Sequence, residues 1–124
     1  MYKKRIKYRD FHGLDREETF DFDLSEPEIV LLESKYTGSI TEMLKVLSDK
    51  ETASTEIAQI LHRMILMSYG VISEDGRRFM KSEELKKEFE ETGAFSVLFM
   101  ELSRDATAAA QFFEKVLSNE ILRD

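Results

Sequence analysis

The hydrophobic pattern of this chain changes its period near residue 24, and this change constrains the fold more than any other feature of the sequence. Before it, two runs alternate apolar with polar residues, which predicts half-buried β-strands. The apolar positions are Tyr2, Ile6, Tyr8, Phe20, Phe22 and Leu24, and the polar ones are Lys3, Arg5, Lys7, Arg9, Glu17, Thr19, Asp21 and Asp23. Between the runs, DFHGLD contains Gly13, which can take the positive φ of a tight turn. The sequence therefore predicts an antiparallel β-hairpin over residues 1–24.

Pairing of these two runs would place a basic outer face on the first strand beside an acidic outer face on the second. Opposite charges on neighbouring strands stabilise a hairpin modestly. The formal net charge of the chain is −7, which opposes binding to a polyanion unless cations gather on one face. We therefore interpret the basic N-terminal run as structural and keep a nucleic-acid contact as the alternative.

From Ser25 onward the pattern is helical. In LSEPEI, Ser25 and Glu28 form a capping box and Pro27 lies in the first turn, which predicts a helix that ends at about Lys35. Leu24 and Ile29 flank this box as a hydrophobic staple. A second box begins at Ser39, and its helix has an apolar stripe at Ile40, Met43, Leu44 and Leu47.

Four more helices follow the same reasoning. One is predicted from about Glu51 to Tyr69, with Gly70 as its stop and with Leu66 and Met67 widening its apolar stripe. Ser82 is predicted to cap the next helix, Gly93 to stop it, and Asp105 to cap the last. The apolar stripes of the last two helices are Phe95, Leu98, Phe99 and Leu102, and then Ala109, Phe112, Phe113, Val116 and Leu117. The predicted fold class is α+β, mainly α, with an N-terminal two-stranded antiparallel β-hairpin (residues 1–24) followed by five or six short amphipathic helices (residues 25–124) in a single domain, 1–124.

The stretch YGVISEDGRRFMKSEEL connects two of these helices. An EF-hand over it fails, because Val71 and Ser82 would take the first and last ligand positions, which need oxygen ligands and usually a bidentate Glu. SEDG is predicted as a turn that leads into an extended RRFM, bringing Phe79 to the core and leaving Arg77 and Arg78 in solvent.

Signals for catalysis are weak. His12 and His62 are far apart and lie in no metal-ligand spacing, the chain has no cysteine, and its acidic clusters fall on predicted outer faces. We expect no catalytic residue, no metal and no cofactor, and a protein that is not an enzyme. No run approaches the roughly 20 apolar residues of a membrane span, so a soluble cytoplasmic protein without membrane contact is expected.

Two long blocks, YGVISEDGRRFMKSEEL and FEETGAFSVLFMELSRDATAAAQFF, carry a family resemblance that extends back through FHGLDREETFDFDLSEPEI. They resemble the tail assembly chaperones of long-tailed siphophages and prophages of Gram-positive bacteria. The resemblance covers most of the chain and departs at FEKVLSNEILRD, where a prolonged helix replaces a short tail containing Gly and Pro.

This resemblance implies a small, mostly helical protein of the host bacterial cytoplasm that is absent from the mature virion. It implies binding to the tape measure protein, which the chaperone keeps soluble, recruitment of the tail tube protein, and self-association into a homo-oligomer. The alternative function is a small helical DNA-binding regulator, for which the sequence lacks a basic recognition helix.

A chaperone for a long helical client needs apolar surface to offer, and unbranched Met adapts to irregular partners. Leu66 and Val97 lie off the apolar stripes but are interpreted slightly in favour of the core. The candidate partner-binding residues are Met67, Arg77, Arg78, Val97 and Met100.

Overall fold

The computed structural model describes residues 1–35 and 54–121. The helix predicted to begin at Ser39 lies outside these residues. None of the helices within the described ranges is long and apolar enough to cross a membrane.

The N-terminal hairpin is confirmed. Strands β1 (Tyr2–Arg9) and β2 (Asp15–Phe22) pair antiparallel in a continuous register from Tyr2 opposite Phe22 to Arg9 opposite Asp15. The predicted cross-strand charges meet, since Lys3 Nζ lies 2.9 Å from Asp21 Oδ1 and an Arg5 guanidinium nitrogen lies 3.5 Å from a Glu17 carboxylate oxygen.

The sheet has two strands more than the sequence predicted. The stretch YGVI forms β3 (Tyr69–Ile72) and FM forms β4 (Phe79–Met80), so that four antiparallel strands lie in the order β1-β2-β3-β4. Gly70, predicted to stop a helix, lies within β3, where a Cβ would be 2.6 Å from the Phe79 ring. Phe79 is half-buried against this glycine and does not reach the core. The prediction that the extended RRFM brings Phe79 to the core is therefore wrong.

Five helices lie within the described residues: α1 (Glu26–Lys35), α2 (Ser54–Ser68), α3 (Glu83–Glu90), α4 (Gly93–Arg104) and α5 (Ala106–Ile121). The capping box at the start of α1 is confirmed, because the Ser25 backbone N–H donates to Glu28 Oε1 at 3.0 Å and the Glu28 N–H donates to Ser25 Oγ at 3.3 Å.

Side-chain oxygens also cap the starts of the later helices, but the predicted role of Gly93 is wrong. Ser82 Oγ accepts the N–H of Leu85 at 3.0 Å, and Asp105 Oδ1 accepts the N–H of Thr107 at 3.0 Å, so both predicted caps are confirmed. Gly93 does not stop α3, which ends at Glu90; it is the first residue of α4, whose cap is Thr92.

The core lies between the inner face of the β1–β2 hairpin and the helices. The ring centroid of Phe22 lies 5.9 Å from that of Phe89 in α3 and 5.1 Å from that of Phe112 in α5. The predicted stripe of α5 is buried throughout, as are Phe95, Leu98 and Leu102 of α4. These contacts make one apolar cluster that includes both hairpin strands and all five helices.

A partly buried lysine, Lys81, contacts three elements beside this core. Lys81 Nζ donates to the Glu28 carboxylate at 2.7 Å, to the Asp23 carbonyl at 2.7 Å and to the Met67 carbonyl at 2.9 Å. Burial lowers the pKa of Lys81. Burial alone would raise the pKa of Glu28, but hydrogen bonds from Lys81 and Ser25 outweigh it, so the pKa of Glu28 is also lowered. Lys81, which follows β4, thereby connects the end of β2, the start of α1 and the end of α2 through hydrogen bonds.

Candidate protein-interaction surfaces

The side chains that sequence analysis considered for chemistry are spread over the surface. His12 lies in the turn of the N-terminal hairpin, whereas His62 Nε2 on α2 lies 2.5 Å from Glu90 Oε2 on α3. Among the residues of known placement, no group of three His, Cys, Asp or Glu side chains is arranged to hold a metal ion. Large apolar side chains are nevertheless exposed on α4 and in the turn of the N-terminal hairpin.

The outer side of α4 carries the clearest of the predicted contacts. Val97 and Met100 are 41% and 42% exposed, although the helix buries its opposite side in the core. The interpretation of Val97 as a core residue is therefore wrong, because its side of α4 is not covered by another described element. They line a shallow depression of about 570 Å³ together with Ser96, Glu101 and Arg104. We call these five residues the α4 surface; it combines an apolar centre with one charge of each sign.

The orientation of α4 follows from its contacts with β1. At its start, a Cβ on Gly93 would lie 2.9 Å from the Arg9 carbonyl oxygen, so the glycine permits helix and strand to touch. Further along, Glu101 pairs with Lys4 Nζ at 3.3 Å. The helix therefore runs antiparallel to β1, with its first residue beside the end of the strand that leads into the hairpin turn.

The other predicted contact residues are not part of the α4 surface. Met67 is half-buried against the core, as is Leu66, and its carbonyl accepts from Lys81. Arg77 and Arg78 are exposed at the turn between β3 and β4, which Ser73 and Asp75 hold together through a hydrogen bond of 2.7 Å. Hydrogen bonds from Ser73 and from the Arg77 N–H lower the pKa of Asp75.

The turn of the N-terminal hairpin is a surface that sequence analysis missed. Its residues 10–15 form what we call the hairpin tip. Phe11 is 88% exposed and Leu14 is 59% exposed there. The signal in the sequence was the presence of two large apolar residues around Gly13, in a turn where polar residues would have sufficed.

Asp10 gives the hairpin tip a fixed structure. Its Oδ1 accepts the N–H groups of His12 and Leu14, each at 2.9 Å, and its Oδ2 accepts from Arg16 Nε at 2.6 Å. The hydrogen bond from Arg16 and that from the Leu14 N–H lower the pKa of Asp10. Gly13 supplies the φ of +83° that the turn needs. Neither the Phe11 nor the Leu14 side chain takes part in these bonds.

The basic residues of β1 are largely engaged with carboxylates. Besides the pairs already described, Arg9 Nε lies 3.4 Å from Asp15 Oδ1. Polyanion binding draws its affinity from cations that can neutralise phosphates. The pairing of these cations with carboxylates therefore does not support the alternative in which the basic N-terminal run contacts nucleic acid.

A scan of protein families matches the whole chain, residues 1–124, to a family described as "Phage tail assembly chaperone". No curated protein and no solved structure matches the chain.

Proposed function

We propose that this chain, which belongs to the phage tail assembly chaperone family, binds the tape measure protein and keeps it soluble while the tail is built. Membership of the family implies a role in tail assembly and interaction with tail proteins. The proposal also includes recruitment of tail tube subunits, self-association and action in the host bacterial cytoplasm, with the chaperone leaving before the virion is complete. We further propose that its phage is a long-tailed one of Gram-positive bacteria, and that it has no enzymatic activity and binds no nucleic acid.

The observation that carries the proposal is the exposed apolar centre of the α4 surface. A client with a long amphipathic helix presents an apolar face that must be covered, and an exposed apolar helix face bordered by charges suits such a client. Met100 adds an unbranched side chain that adapts to successive positions of the client. Arg77 and Arg78 complete the proposed contact set as cations on a chain with net charge −7.

Co-expression with the tape measure protein of the same phage tests this proposal. The wild-type chain should keep that protein soluble and co-purify with it. The double variant Val97→Asp, Met100→Asp should remain folded, because both side chains are already partly in water, and should capture much less of the client. Thr55→Asp combined with Gln59→Asp is the matched control, since it adds the same two charges at exposed positions of α2.

Met67 requires separate treatment in this experiment. Because it is half-buried against the core, Met67→Asp should lower the stability of the whole chain, and loss of capture by that variant would say nothing about contact. A folded α4 double variant that captures the client normally would refute the α4 surface as the client site. A folded wild-type chain that never binds the tape measure protein would refute the assignment of the client.

A further inference from the structure

We infer that the hairpin tip of one copy of this chain docks on the α4 surface of a second copy, with Phe11 and Leu14 against Val97 and Met100. This inference deepens the proposed function, because it names a second copy as a partner of the same surface. Two apolar surfaces on different elements, one projecting and one shallow and concave, carry it.

The hairpin tip is built as an anchor. Backbone hydrogen bonds to Asp10 and the positive φ of Gly13 fix the turn without using the side chains of Phe11 and Leu14, which are held exposed to water. An aromatic side chain on a backbone that is fixed before binding loses less conformational entropy on entering a partner than one on a flexible loop.

A single copy cannot bring its own tip to its own α4 surface. The β1–β2 register continues through Asp10, whose N–H donates to the Leu14 carbonyl at 2.9 Å, so the tip extends the hairpin beyond Arg9. Gly93 lies beside Arg9, and from there α4 runs back along β1. At about 1.5 Å per residue, Met100 lies about 10 Å from the start of the helix, in the direction away from the tip.

The charges at the two surfaces are complementary. In the tip, Asp15 forms an exposed pair with Arg9 of β1, and the α4 surface carries Arg104 and Glu101, which pairs with Lys4 of its own copy. Docking with Arg9 beside Glu101 and Asp15 beside Arg104 adds a second partner to three charges that are already paired or exposed in one copy, so neither surface buries an unmatched charge. This matters because two chains of net charge −7 repel each other overall.

Such a contact is heterologous, since the two copies use different surfaces. Every docked copy still offers a tip and an α4 surface, so association continues beyond a dimer unless the geometry closes a ring. The contact is also small, which places it among weak interfaces, and we expect it to form at concentrations on the order of 100 µM. The client would compete with the tip of the second copy for the α4 surface.

Mixing two variants in a sedimentation experiment without any client tests the inference. Phe11→Asp removes the anchor and keeps the α4 surface, whereas Met100→Asp does the opposite. Each variant alone should be monomeric at concentrations where the wild-type chain forms larger species, and Gln59→Asp should associate like wild type. An equimolar mixture of the two variants should form a one-to-one dimer and nothing larger, because only one intact tip and one intact α4 surface can meet.

The other outcomes decide against the contact. The docking of the tip on the α4 surface is wrong if the wild-type chain stays monomeric at about 1 mM, ten times the concentration at which association is expected. It is also wrong if either variant associates like wild type, or if the mixture of the two variants stays monomeric. Both variants are folded if their circular dichroism spectra match that of wild type, as expected for side chains already in water. Capture of the tape measure protein by monomeric Phe11→Asp is measured separately, so failure of the docking and failure of the proposed function remain distinguishable.

Discussion

Replacing Lys81 by Met should destabilise the chain by about 3 kcal/mol, because this single ammonium group serves three acceptors. It donates to the Glu28 carboxylate and to the carbonyls of Asp23 and Met67, all at 2.7 to 2.9 Å. The Lys81 side chain is only 15% exposed. Methionine fills a similar volume but leaves all three acceptors without that donor.

The magnitude follows from how deeply the ion pair is buried. Removing one partner of a fully buried pair costs roughly 3–5 kcal/mol, because the other charge stays behind without compensation. Glu28 retains some contact with water, so the lower part of that range applies here. Lys86→Met is the matched control: its ammonium lies 3.9 Å from a Glu83 carboxylate that is 96% exposed, and such pairs contribute about 0–1 kcal/mol.

Urea unfolding followed by far-ultraviolet circular dichroism measures the difference. With a slope of about 2 kcal/mol per molar urea, Lys81→Met should lower the midpoint by about 1.5 M, while Lys86→Met should lower it by less than about 0.5 M. Because domains are stable by about 5–15 kcal/mol, the variant should still fold. If both variants shift the midpoint equally, Lys81 does not join the three elements energetically, and the reasoning from its hydrogen bonds is wrong.

Three further predictions concern single features of the fold. Gly70→Ala should destabilise by about 1–3 kcal/mol in the same urea assay, because its Cβ would lie 2.9 Å from the Met80 carbonyl oxygen as well as against the Phe79 ring; an unchanged midpoint would contradict this packing. The folded-state pKa of Glu28 is lowered, so its stabilisation is present above its ordinary pKa of 4.5 and is lost as the pH falls through the folded value. Melting temperatures of Glu28→Gln should accordingly fall less than those of wild type on acidification below pH 4.5, and parallel curves would refute this. Millimolar calcium should leave the melting temperature unchanged, because Asp75 already accepts from Ser73 and Arg77; a rise of several degrees would reveal a calcium site.

The features of this fold that are predictable from the sequence are those whose physics acts over a few residues. Ser25, Ser82 and Asp105 were identified as caps because a side-chain oxygen and the N–H it accepts are two or three positions apart. The hairpin followed from alternation in the same way. Gly70 was misassigned because a glycine that ends a helix and one that admits a neighbouring ring are identical in sequence, and the deciding ring belongs to Phe79, nine positions later.

The candidate surfaces were predictable only in part, for a related reason. Helical spacing could place Val97 and Met100 off the apolar stripe of α4, but it could not separate them from Met67, since exposure depends on which elements pack alongside. The turn around Gly13 was predicted, yet the exposure of Phe11 depends on how far the hairpin extends beyond α4. The partners of Lys81 lie too far away in sequence for any local pattern to reveal them.

The strand order of the sheet is the order of the chain, and the long connection between β2 and β3, which includes α1 and α2, returns to its starting point. The N–H of Asp23, just after β2, donates to the Ser68 carbonyl, just before β3, at 2.8 Å. The entropy of closing such a loop grows only with the logarithm of its length, at about 0.6 kcal/mol per doubling. Insertions that leave the core residues of α1 and α2 and the contacts of Lys81 in place should therefore have little effect on the stability of the sheet. The folding rate depends more strongly than the stability on this connection. Each hairpin closes over a few residues, whereas β2 and β3 can pair only after the whole connection between them has closed. The connection should thus set the rate at which the sheet is completed.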